Sequence, residues 1–354
     1  MRKMETEHLK EIKGDSDMKG KDIAGKGMVR AICISPVRGV EKKRINEGHF
    51  LKNFGIEGDG HAGNWHRQVS LLSYDKVDAF NARGANVEDG AFGENLVVEG
   101  IDFRRLPVGT RLLAGSVELE ITQIGKECHS HCAIYQRMGE CIMPKEGVFA
   151  RVVQEGRIRP GDVMEVKPPL AERPLTAAVI TLSDKGAKGE RKDESGPAAK
   201  EMLEKAGYVV LELLLLPDEP SLLKRELIRL ADSRQVDLVL TSGGTGFSLR
   251  DQTPEATMAV AERNVPGIAE AIRYRSMEIT SRAMLGRGVS VIRKKTLIVN
   301  LPGSPKAVRE SLGFILESLE HGLKILRGSA SECAGAEQSA QEEERNLDKD
   351  KKEK

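Results

Sequence analysis

The chain lacks a dominant charge. Its 55 Lys and Arg against 54 Asp and Glu leave a formal net charge of +1. No global field draws it to nucleic acid or to an anionic membrane, so neither is expected as a partner. It has no run of 18 apolar residues, which argues against a transmembrane helix. The opening MRKMETEHLKEIKGDSD has no apolar central region and does not read as a secretory signal. Cysteine is sparse, five in 354 residues, which excludes a disulfide framework and makes a reducing, cytoplasmic setting the expectation. What is present, 39% apolar and 31% charged residues, suits a soluble globular protein of two or three domains.

Residues 1–27 are polar, charged and punctuated by glycine, and read as a disordered arm. Residues 329–354 carry charges that cannot bury a face and read as a disordered tail. Over residues 28–167 apolar runs are short. GTRLLAGSVELEITQIG alternates as a strand pair does, with Val117, Leu119 and Ile121 on one side, and RIRPGDVMEV reads as a turn before a closing strand. This predicts a mostly-β, barrel-like domain. KPPLAERPL holds three prolines in nine residues, and residues 168–175 read as a stiff linker. Over residues 176–328 the rhythm becomes strand, loop, helix. TAAVITLS and Val209–Leu216 are strands; Pro197–Ala206 is a helix stopped by Gly207. Ser221 is expected to cap a helix with a stripe of Leu222, Leu223, Leu227 and Leu230. VDLVL and KTLIVN are further strands. The alternation predicts a three-layer α/β domain with a mostly parallel sheet, whose ligands sit beyond the carboxyl ends of the strands.

TSGGTGFSLRDQTPEA follows VDLVL at such an end. Its glycines let backbone N–H groups approach an anion, and its hydroxyls add donors. Thr253, Pro254 and Glu255 have the cap, first-position and first-turn character of a helix start, which favours phosphate. The loop is neither a Walker A motif nor GxGxxG. Other strand ends carry Ser183, Asp184, Asp193 and Ser195, then Asp218 and Glu219, then Pro302, Gly303, Ser304 and Lys306. Acids beside a phosphate site make sense with Mg²⁺ between them. Plainer roles exist too: Ser195 and Thr253 as helix caps, Asp218 as a turn acid, Asp251 as the partner of Arg250.

The segments SDKGAKGERKDESGP, LPDE, TSGGTGFSLRDQTPEAT, PGIAEAIRYRS and KTLIVNLPGSPKAVRE, in that order, resemble the molybdopterin adenylyltransferase family, the MogA/MoaB-like domains of molybdenum-cofactor biosynthesis. The resemblance implies transfer of AMP from ATP to molybdopterin with Mg²⁺, giving adenylyl-molybdopterin and pyrophosphate. It implies Asp218 and Asp251 as the functional aspartates. Thr241, Ser242, Gly243, Gly244, Thr245 and Gly246 become the phosphate and pterin cradle, with Ser304 in the same pocket. Glu270, Arg273 and Ser276 fall in a shared segment with no role attached. It further implies a trimer or hexamer, and other molybdenum-cofactor assembly enzymes as partners.

In the first half, GKECHSHCAIYQRMGECIMPKEGVFARV gathers Cys128, His129, His131, Cys132 and Cys141. The spacing is not a standard zinc pattern. Lys126, His129, His131 and Arg137 are cations that lower a thiol pKa when they stand close to it. The plainer reading is that these cysteines pack as small hydrophobes, as Cys33 is expected to, with Cys333 incidental in the tail. With FGIEGDGHAG, GAFGENLVVEGIDF and LPVGTRLLAG, this half resembles the MOSC domain, named for the C-terminal domain of molybdenum-cofactor sulfurases. The resemblance implies handling of sulfur or of the cofactor through one cysteine, Cys132 matching best and Cys128 next, with His61 and His66 as pocket candidates. No pyridoxal-phosphate sulfurase domain is read in these residues, so a complete sulfurase is not expected. Two other functions fit parts of the pattern: a carrier that binds molybdopterin or molybdate without turnover, and a CinA-like pyridine-nucleotide pyrophosphatase.

Overall fold

The computed structural model describes residues 25–128, 132–170 and 172–328. His129, His131 and Cys333, with the expected arm before residue 25 and the tail after 328, lie outside the described residues. The chain divides into two compact units at Leu170.

The first unit is a closed barrel of seven strands: β1 (Lys26–Ile34), β2 (Val69–Ser73), β3 (Leu96–Glu99), β4 (Arg111–Ala114), β5 (Val117–Ile124), β6 (Val148–Gln154) and β7 (Val163–Lys167). Neighbours run β1-β7-β4-β5-β6-β2-β3 and back to β1, all antiparallel except the parallel pair β2 and β3. Val117, Leu119 and Ile121 alternate inward, as their spacing predicts, into a core with Ile32, Phe50, Leu71, Leu112 and Val152. Closure begins earlier than polarity suggests. Lys26 and Gly27, expected in the arm, pair with Glu165 and Met164. Backbone hydrogen bonds, indifferent to side-chain polarity, set that boundary. Helices α1 (Tyr74–Asn81) and α2 (Ala133–Met138) pack outside the barrel, around Val77, Phe80, Ile134 and Met143.

The second unit has six strands in the order β9-β8-β10-β13-β12-β11: β8 (Thr176–Leu182), β9 (Val209–Leu216), β10 (Leu238–Ser242), β11 (Arg263–Asn264), β12 (Ser290–Arg293) and β13 (Thr296–Leu301). Strands β9, β8, β10 and β13 are parallel, and β12 and β11 add an antiparallel edge. Helices α3 (Ser195–Lys205), α6 (Pro266–Met277) and α7 (Pro305–Arg327) bury Ala199, Leu203, Ile272 and Val308 against one face. Helices α4 (Pro220–Ile228) and α5 (Thr253–Met258) cover the other with Leu223, Leu227 and Ala256. The central strands are buried on both sides and therefore read as continuous apolar runs. Ser221 lies inside α4 and does not cap it. Glu219 precedes the helix and Pro220 opens it, since proline has no N–H to leave unpaired there.

Candidate functional site

Four parallel strands point the same way, so the loops leaving β8, β9, β10 and β13 converge at one end of the sheet. There they enclose a cleft of about 310 Å³ lined by Ser183, Asp193, Ser195, Asp218, Gly244, Asp251, Gly303 and Ser304. Thr181, Arg191, Lys192 and Glu194, which sequence reasoning did not single out, line it as well.

Hydrogen bonds between loops fix its shape. Asp218 Oδ2 accepts from the Asp184 N–H at 2.9 Å, and the Asp218 N–H donates to Asp184 Oδ1 at 3.0 Å. Ser242 Oγ donates to the Pro302 carbonyl and Ser195 Oγ to the Gly303 carbonyl. Ser183 and Ser304 cap their helices through Gly186 N–H and Ala307 N–H. Ser195 is not the cap of α3: Asp193 Oδ1 accepts from the Ser195 and Gly196 N–H groups and does that work. Nor does Thr253 cap α5. It is the first helical residue, behind Gln252, and its N–H donates to the Gly244 carbonyl.

Arg250 does not pair with Asp251. It reaches Asp184 at 2.8 Å and Glu219 at 3.0 Å. Asp251 Oδ2 instead accepts from the Ser248 N–H. Burial pushes the half-buried Asp218 carboxyl above its ordinary value. The Asp184 N–H opposes this, and the charges of Asp184 and Asp251 add to it. Asp184 moves the other way, held low by the Asp218 N–H and by Arg250.

Other candidates stand outside the cleft. Thr241 is fully buried, its hydroxyl accepting from Asn300 Nδ2 at 2.8 Å, and the same amide donates to Thr257. Ser242 ends β10, Gly243, Thr245, Gly246 and Pro302 lie in loops, and none of these five is in the cleft lining. Lys306 is exposed on α7 near Glu310. Glu255 pairs with Arg287, whose Nε also donates to the Gly246 carbonyl and whose Nη2 donates to the Asp251 carbonyl. Arg287 thus clamps the glycine loop from a segment with no sequence signal. Arg273 serves the Gly288 carbonyl; Glu270 and Ser276 are not part of the cleft lining.

The barrel has its own cleft, about 730 Å³, where Cys128, Cys132 and Cys141 share a lining with Arg38, His61, Trp65, Arg67 and Lys126. Arg137 donates to the Ala85 carbonyl and is not among the residues that line this cleft. Burial raises the Cys141 thiol above its ordinary value; the Met143 N–H opposes this, the other two cysteines add to the shift and Lys126 opposes it. Cys33 is fully buried and pushed up to about 12 by burial, then by Glu94 and Asp89. His66 bonds Gln123 and stands outside the lining. Beneath the cleft, Lys42 and Asp59 form a buried pair at 2.9 Å, with Ser35 N–H, Asn95 Nδ2 and His61 N–H also donating to Asp59.

Residues 58–165 match the family model for the MOSC domain, and residues 178–321 match that described as "Probable molybdopterin binding domain". A molybdopterin adenylyltransferase of Escherichia coli is 43% identical over 140 residues, 39% of this chain and 72% of that protein. One from Helicobacter pylori is 39% identical over 153 residues, 43% of this chain and 87% of that protein. Among solved structures, the molybdopterin biosynthesis enzyme MoaB of Thermus thermophilus is 45% identical, covering 44% of this chain and 97% of its own, with a TM-score of 0.42.

Proposed function

The chain carries a MOSC domain and, through its second unit, belongs to the molybdopterin adenylyltransferase family, and from that premise we propose that the 310 Å³ cleft transfers AMP from ATP to molybdopterin with Mg²⁺. The terminal phosphate of the pterin attacks the α-phosphorus of ATP. A phosphorus–oxygen bond forms there as the bond to the bridging oxygen breaks, and pyrophosphate leaves with the electron pair. Such chemistry asks the protein for positioning and charge stabilisation, with no covalent nucleophile.

The observation that carries this reading is the meeting of Asp218 and Asp251, from different strand ends, in one cleft with Gly244 and Ser304. Burial and neighbouring carboxylates already disfavour the Asp218 charge, a strain that a divalent cation relieves. Mg²⁺ takes one or two carboxylates and completes its shell with phosphate oxygens and water, so Asp218 and Asp251 would hold it. Among the described residues no group of three or more His, Cys, Asp or Glu could hold a metal, so most of that shell would come from substrate and water. Bound there, the ion would neutralise charge on the reacting phosphates. Arg191 and Lys192 line the same cleft as cations for the phosphate chain, and the backbone at Gly244, where the Thr241–Gly246 loop meets the lining, would stabilise charge as it develops. For the MOSC domain the same reading assigns cofactor or sulfur handling to the cleft shared by Cys128, Cys132 and Cys141.

The test is pyrophosphate release with ATP, molybdopterin and Mg²⁺. Asp251→Ala is expected to fold normally and to lose at least about 100-fold in turnover. A fully active variant would refute the assignment. Wild-type protein that binds the pterin but releases no pyrophosphate would favour the carrier function, and activity confined to pyridine nucleotides the CinA-like one.

A further inference from the structure

Thr181 is the penultimate residue of β8 and is 6% exposed. Its Oγ1 is enclosed and meets no hydrogen-bond partner among the described residues, yet the residue lines the 310 Å³ cleft. A buried hydroxyl left unpaired is costly, and such groups are usually completed by a ligand or by water. A second group beside it is also half used. Asp193 Oδ1 accepts from the first N–H groups of α3, while Asp193 Oδ2 accepts no hydrogen bond among the described residues. The two spare oxygens lie near each other where α3 starts: a Cβ built on Gly196 would lie 2.6 Å from Asp193 Oδ2, 2.8 Å from Thr181 Oγ1 and 2.9 Å from Leu213 Cδ1. Glycine at 196 lets the start of α3 pack closely on β8, which brings these two oxygens together at the edge of the cleft that both residues line.

A phosphate does not suit this corner. The N–H groups of the α3 start are already committed to Asp193, whose negative charge repels an anion. An ionised carboxylate only accepts, whereas a threonine hydroxyl both donates and accepts. The complement is a neutral edge rich in O–H or N–H donors. We propose that Thr181 Oγ1 and Asp193 Oδ2 form a subsite for such an edge of a substrate. In the adenylyltransferase reading, on which this inference rests, that edge is either the ribose hydroxyls of ATP or the amino-lactam edge of the pterin.

Equilibrium binding, measured by calorimetry on the full chain without turnover, tests it. ATP and molybdopterin are titrated separately into wild type, Thr181→Val and Thr181→Ser, with folding checked by thermal melting. Valine keeps the shape and removes the hydroxyl; serine keeps the hydroxyl. Thr181→Val is expected to weaken one of the two ligands about tenfold, and Thr181→Ser to bind nearly as wild type does. If the ligand weakened is ATP, 2′-deoxy-ATP should bind wild type weakly and lose no further affinity in Thr181→Val, identifying the ribose. If only molybdopterin weakens, the pterin edge is identified. If wild type binds both ligands and Thr181→Val binds both equally well, or if Thr181→Ser is as weak as Thr181→Val, the subsite is wrong while the reaction assignment stands. If wild type binds neither, the adenylyltransferase reading itself fails and the subsite with it.

Discussion

Replacing Gly244 by alanine should separate stability from catalysis at this site. Gly244 has φ +62°, in the left-handed region, which costs a residue with a side chain about 1–2 kcal/mol. The added Cβ would also stand 2.3 Å from Thr253 Oγ1 and 3.5 Å from Asp218 Oδ1. To reach ordinary contact, Thr253 or the loop must retreat by roughly 1 Å. Thr253 opens α5 and is tied to Gly244 through its own N–H, so the loop that bears Asp251 moves with it. The fold should survive, with the second unit melting roughly 2–8 °C lower. Turnover should fall much further, about 100-fold, because a misplacement of 1 Å is enough to spoil in-line geometry. Thermal melting and pyrophosphate release on the same preparation read the two effects. Turnover within about threefold of wild type would refute the claim that this glycine sets the geometry of the aspartates.

Asp218→Asn removes a carboxyl whose folded pKa is raised. Its ionisation costs the folded state stability as pH rises through the ordinary aspartate range, and the cost is absent below that range. The variant should therefore melt above wild type at neutral pH, with the gap closing near pH 3, and should release no pyrophosphate; a variant that melts lower at neutral pH contradicts this. Lys42→Met strands Asp59 without its buried cation and should destabilise the barrel by about 3–5 kcal/mol in a denaturant titration. Burial works against both charges of this pair and lowers Lys42. Asp59, served by four donors, is nonetheless held well below the ordinary carboxylate range, and its hydrogen bonds set the pair's behaviour. Its stabilisation is present above about pH 4 and is lost as pH falls, so the deficit of Lys42→Met should shrink in acid; a deficit unchanged with pH would contradict the sign.

Much of the fold follows from local pattern. The alternation through Val117, Leu119 and Ile121 predicts a barrel strand, and the continuous apolar runs TAAVITLS and VDLVL predict central strands of a parallel sheet. Small and acidic residues at four strand ends are legible for the same reason: parallel strands bring those ends together, so Asp218, Asp251, Gly244 and Ser304 meet in one cleft. The ordered segments around them resemble one family on the sequence alone.

Other features depend on which loop lies against which, and no spacing encodes that. Thr241 and Ser242 look like cradle hydroxyls in sequence, yet Asn300 and the Pro302 carbonyl engage them, and neither is in the cleft lining. Arg250 neighbours Asp251 in the chain but reaches the loops after β8 and β9. Asp193, two residues before Ser195, takes the cap and frees the serine hydroxyl to tie down Gly303. Arg287 clamps the glycine loop from beyond α6. The unpaired hydroxyl of Thr181 exists only because β8 carries it beneath the start of α3. Periodicity fixes which elements form and which ends converge, since those are properties of a strand or helix by itself. Which polar atoms are satisfied within the protein, and which are left for a ligand, is a property of pairs of segments far apart in the chain, and only the tertiary structure decides it.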